Sequence, residues 1–96
     1  MKPSQRLNAH REAIRAIVAA HRASNPRVFG SVARGEDTEE SDLDILVDPA
    51  GRMTLFDLGG ILNDLTELLG VEVDVLTPGA LPDKHRERIL AEAATI

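Results

Sequence analysis

Two short segments constrain this chain more than anything else in it. In 43–47 the odd positions are Leu43, Ile45 and Val47, and in 71–76 they are Val71, Val73 and Val75. The even positions are Asp42, Asp44 and Leu46 around the first segment, and Glu72, Asp74 and Leu76 in the second. Side chains alternate between the two faces of a strand. Each segment therefore reads as a strand with one aliphatic face for helices to cover and one face that carries carboxylates. If the strands are neighbours, three or four carboxylates share a face. Like charges so crowded are unfavourable unless a cation sits among them, so the pattern points to a metal site.

The surrounding segments supply the helices. Leu7, His10, Ile14, Ile17, Val18 and His21 recur at helical spacing, so a first helix is expected from Ser4 as N-cap to about Ala23, where Ser24-Asn25-Pro26 breaks it. Arg27–Gly30 reads as a short strand, Ser31–Arg34 as one helical turn closed by Gly35, and 36–41 as a polar, acidic loop. Thr54 and Asp57 form a capping-box pattern ahead of Leu55, Leu58, Leu62, Leu65 and Leu69, a stripe expected to be core, and Gly70 ends that helix. Pro82 suits the first turn of a last helix with Ile89, Leu90 and Ala93 inward. The expected fold is α+β: one domain over 1–96, a small mixed sheet with helices on one face and an open carboxylate-bearing face.

Composition narrows the function classes. Aromatic residues are 2% of 96, so nucleic-acid platforms that stack bases on aromatic rings are disfavoured. Cys is absent, which excludes disulfide scaffolds, thiolate zinc sites and Cys nucleophiles. No apolar run is long enough to span a bilayer and the first residues do not read as a secretory signal, so a cytoplasmic protein is expected. The net charge of −5 is uneven: residues 1–35 sum to +6 and 36–96 to −11. That balance argues against direct nucleic-acid binding, while the basic first third could hold an anionic ligand or partner.

Taken alone, the small motifs are weak. Asp42-Leu43-Asp44 fails as an EF-hand because Val47 stands where the loop glycine is needed. Gly30-Ser31-Val32-Ala33-Arg34-Gly35 has Walker-like spacing, but Glu36 occupies the obligatory Lys position. A glycine after a strand still lets backbone N–H groups approach a phosphate, and the Ser31 hydroxyl can donate to one. No two of His10, His21 and His85 have metal-ligand spacing, and they read as structural.

In combination the motifs are specific. Gly30-Ser31, a spacer, Ser41-Asp42-Leu43-Asp44 and the later strand residue Asp74 closely resemble the DNA polymerase beta-like nucleotidyltransferase superfamily. The string Gly30-Ser31-x-Ala33-Arg34-Gly35 followed by Ser41-Asp42-Leu43-Asp44 resembles its minimal, MNT-type branch, many of whose members are antitoxins of HEPN-domain RNase toxins. The resemblance covers nearly the whole chain.

It implies two Mg²⁺ ions held by Asp42, Asp44 and Asp74, ATP as substrate, and Asp74 as a candidate general base. Gly30 and Ser31 would hold the β- and γ-phosphates. Arg34 would contact phosphate or bridge to the acidic loop. The implied reaction is transfer of AMP to a hydroxyl, expected to be Tyr, of a cognate HEPN toxin in a hetero-oligomer. Two alternatives remain: an antitoxin that acts by covering its toxin without catalysis, and a nucleotidyltransferase for a small molecule. Ninety-six residues show no separate acceptor-binding region, so an acceptor is expected to come from a partner.

Overall fold

The computed structural model describes residues 1–96. Helices α1 (Pro3–Ala9) and α2 (Arg11–Ala20) lead into strand β1 (Ala23–Phe29) and a single turn, α3 (Gly30–Ala33). Strand β2 (Leu43–Pro49), helix α4 (Leu55–Leu69), strand β3 (Val73–Leu76), a 3-10 turn at Pro78–Ala80, helix α5 (Asp83–Glu92) and strand β4 (Ala94–Thr95) complete it. The sheet runs β3-β2-β1-β4. The β2–β3 pair is parallel and the other pairs are antiparallel. Parallel neighbours need a crossover, and α4 provides it.

The alternation of the two acidic strands holds. Leu43, Ile45, Val47, Val73 and Val28 form one face and pack with Leu7, Ile14, Val18, Ile61, Leu65 and Leu69 from α1, α2 and α4. The opposite face is not wholly open. There Phe29, Leu46 and Leu81 form a second cluster, against which Leu76, Ile89 and Ala93 pack. Helix α5 thus covers part of the carboxylate-bearing face, and Leu90, expected inward, is exposed.

Several expectations are corrected. The first helix is two: the chain breaks at His10 (φ −132°, ψ 25°), whose Nδ1 lies 2.9 Å from the Arg6 carbonyl. Ser4 is not the cap; Lys2 is, with Pro3 in the first turn, and the Ser4 N–H instead donates to buried Asp37 at 2.9 Å. Ser24-Asn25-Pro26 does not end in a loop but lies within β1, where the register against β2 shifts between Ser24 and Arg27. A bulge tolerates a proline that cannot donate to the ladder. Strand β3 begins at Val73 rather than Val71. Strand β4 had no sequence signal.

The α4 stripe is rotated from the expected one. Ile61, Leu65 and Leu69 are buried, whereas Leu55 is 83% and Leu62 40% exposed. The cap is as expected: the Thr54 N–H donates to Asp57 Oδ2 at 2.8 Å, and Gly70 closes the helix at φ +66°.

Candidate active site

Strand β2 delivers Asp44 and strand β3 delivers Asp74 at the same level, because the parallel register pairs those two residues. Across the other edge of β2, Phe29 is the partner of Asp44. The chain leaves β1 immediately after Phe29 to enter α3, which brings Gly30, followed by Ser31, beside Asp44. Gly30 lies at φ +73°, and a Cβ there would collide with the Asp44 carboxylate. The conformation at that position favours glycine, and any side chain there would push the Asp44 carboxylate aside.

Asp44 is the most perturbed carboxyl in the chain. It is partly buried, and burial is the first cause of its displacement; the charges of Asp74 and Asp42 and a proton shared with Asp74 add to it. Together they raise it from 3.8 to about 6, against the opposing pull of Arg34. Asp42 and Asp74 are exposed. Asp44 feels the charges of both Asp74 and Asp42, but no group of three acid or histidine side chains lies at ligand spacing.

The groups expected to meet phosphate divide into two. Arg34 bridges Glu36 through Nε at 2.8 Å and Glu92 through Nη1 at 3.1 Å. The Gly30 N–H donates to Glu92 Oε1 at 3.0 Å. Ser31 is half-buried, and its hydroxyl makes no bond within the chain. Burial would raise Glu92, yet the Gly30 N–H and Arg34 hold its carboxyl below the usual range. Sequence reasoning missed Glu92: it lies 62 residues from Gly30, and nothing local distinguishes it from the other acids of α5.

Two of the three histidines are structural, and His85 is not. His10 bonds the Arg6 carbonyl, His21 Nε2 pairs with Asp64 Oδ2 at 2.8 Å, and His85 is exposed.

A small mixed sheet that sets an aspartate pair beside a Gly-Ser turn defines a minimal nucleotidyltransferase. The chain belongs to the nucleotidyltransferase domain family, whose profile matches residues 11–96. It is similar to a Methanocaldococcus jannaschii protein described as a candidate protein adenylyltransferase, with 39% identity over 90 residues, 94% of this chain and 97% of that one. The protein adenylyltransferase MntA of Thermococcus cleftensis is 32% identical over 90 residues, 94% of this chain and 88% of MntA. A solved structure described as a candidate minimal nucleotidyltransferase superposes with a TM-score of 0.86 at 44% identity, over 97% of this chain and 95% of that one. A toxin–antitoxin structure with AMP-PNP shares the fold, with a TM-score of 0.73 at 17% identity over 88% of this chain and 69% of that one. No helix is long and apolar enough to cross a membrane.

Proposed function

We propose that this chain is a Mg²⁺-dependent protein adenylyltransferase that moves AMP from ATP to a hydroxyl, expected to be Tyr, of a cognate HEPN RNase toxin, and so acts as its antitoxin. The observation that carries the reading is the partly buried Asp44 carboxylate, in register with Asp74 and pressed against the Gly30–Ser31 turn. The names of the relatives above favour a protein acceptor over a small molecule.

The residues fit divalent metal. Asp42, Asp44 and Asp74 are hard oxygen donors of the kind Mg²⁺ prefers, and burial together with the charges of Asp74 and Asp42 raises the Asp44 carboxyl to about 6, a cost that a bound cation would offset. These three would hold two ions, which when bound neutralise triphosphate charge and align the α-phosphate for in-line displacement. The Ser31 hydroxyl donates to a phosphate oxygen. Asp74, exposed on the strand beside Asp44, takes the proton of the acceptor hydroxyl. The hydroxyl oxygen forms a bond to the α-phosphorus, and the bond from that phosphorus to the pyrophosphate oxygen breaks. Pyrophosphate leaves, and AMP remains on the acceptor.

Asp74→Asn tests this. Loss of a general base costs about 10²–10⁴-fold in rate, whereas Asn keeps the shape of the side chain and leaves the rest of the surface unchanged. Co-expressed with its toxin, the variant is expected to co-purify but not to transfer labelled AMP or rescue growth. Full rescue without transfer would overturn the enzymatic reading in favour of neutralisation by covering.

A further inference from the structure

We infer that Glu92 is a positioning residue for nucleotidyl transfer: its carboxylate braces the Gly30–Ser31 turn and Arg34 so that the Ser31 hydroxyl is presented beside Asp44. The inference rests on the adenylyltransferase reading above. Glu92 accepts from the Gly30 N–H at 3.0 Å and from Arg34 Nη1 at 3.1 and 3.3 Å. The first of these joins the last turn of α5 to the first residue of α3, across 62 positions of sequence, and the others reach Arg34 just past the end of α3. A half-buried backbone N–H must find an acceptor, and here a carboxylate from the end of α5 supplies it.

The brace is itself held on both sides. On the helix side, Ile89 and Ala93 pack on the Phe29–Leu46–Leu81 cluster. On the other, Ala94 and Thr95 pair with Val28 and Arg27, the residues just before Phe29 and Gly30. The Ile96 N–H then donates to the Pro26 carbonyl at 3.0 Å, and the Ile96 side chain is buried. The strand that ends at Phe29 and the segment that carries Glu92 are therefore one hydrogen-bonded unit, and little side-chain freedom remains to be lost when Glu92 makes its contacts.

The geometry separates roles that the sequence merged. The Gly30 amide and Arg34 are committed to Glu92, while the Ser31 hydroxyl is free. Gly30 serves by lacking a Cβ against Asp44. Without the brace a glycine at φ +73° has many conformations open to it, and Ser31 moves with it. A displacement of about 1 Å at a reacting centre costs about 10²-fold in rate.

The test compares Glu92→Ala and Glu92→Gln with the parent. Gln keeps an oxygen for the Gly30 N–H but loses the charge that Arg34 meets. For Ala we expect kcat with Mg²⁺-ATP and the toxin to fall about 10²-fold while KM for ATP changes much less. Gln should recover most of the lost kcat. The Gly30 amide should lose hydrogen-exchange protection in Ala and keep it in Gln. Parental kcat in Glu92→Ala would overturn the inference. So would tighter binding of Mg²⁺-ATP by that variant, because Glu92 would then be a competitor for the phosphate seat. If Ala does not fold, Gln and the Gly30 amide decide the matter, with unprotected Gly30 in the folded parent counting against it. Absence of transfer by the parent is a failure of the adenylyltransferase reading instead, and leaves amide protection and ATP binding to judge the brace.

Discussion

Asp44→Asn should stabilise the metal-free protein. Folding raises the Asp44 carboxyl from 3.8 to about 6, first through burial and then through Asp74 and Asp42. The folded state therefore holds the proton more tightly than the unfolded chain. Its contribution to stability is fully present below pH 4 and is lost as pH rises from about 4 to about 6. A shift of about two units corresponds to about 3 kcal/mol. Solvent screening of a half-buried group cuts that to about 1–2 kcal/mol at pH 7. For a chain of this size that is a Tm increase of about 5–10 °C. Asn keeps the shape and removes the charge. Thermal unfolding followed by circular dichroism, with chelator present, should show the variant more stable at pH 7 and the difference fading towards pH 4. The parent, but not the variant, should then be stabilised by Mg²⁺-ATP, by about 2.7 kcal/mol at a hundred times Kd, with a matching rise in Tm. A variant less stable than the parent at pH 7, or a difference independent of pH, would refute the claim that Asp44 is an electrostatically strained carboxylate.

The other outcomes follow from single contacts. Ser31→Ala should weaken ATP binding by about 1–2 kcal/mol, the scale of one hydrogen bond to a charged group, with little loss of Tm; calorimetric titration measures it. Gly30→Ala should be worse in both respects, since it strains the φ +73° backbone and drives a methyl into Asp44. Leu65→Ala should destabilise by about 2–5 kcal/mol and Leu55→Ala by less than about 0.5 kcal/mol in denaturant titrations, because only the first is buried. Thr54→Ala should cost about 1 kcal/mol through loss of the α4 cap.

What could be read from the chain was what local periodicity encodes. The two-residue alternation of 43–47 and 71–76 placed Asp44 and Asp74 on one face because strand geometry leaves no other choice. The Thr54–Asp57 box and Gly70 bounded α4 because caps satisfy backbone groups within a few residues. The errors came where tertiary contacts override local pattern. Leu62 and Ile61 are equally apolar, and only the packing of α4 on the sheet decides that Ile61 is the inward one. The break at His10 depends on a side chain bonding its own helix. Pro26 argued for a loop, and the strand absorbed it by a register shift. Helix α5 lies on the carboxylate face because Ile89 and Ala93 meet Phe29 and Leu46 there, a pairing that no spacing along the chain reveals. Glu92 follows from that docking and was invisible for the same reason.

The most direct test of the central claim uses two labels on one substrate. The protein is mixed with Mg²⁺, its toxin, and ATP labelled on the α- or the γ-phosphate in parallel, and the toxin is then isolated. Transfer of AMP predicts that the α-label becomes covalently attached to the toxin while the γ-label leaves in pyrophosphate, and that Asp44→Asn abolishes attachment. Attachment of the γ-label, or no attachment of either, would contradict the account.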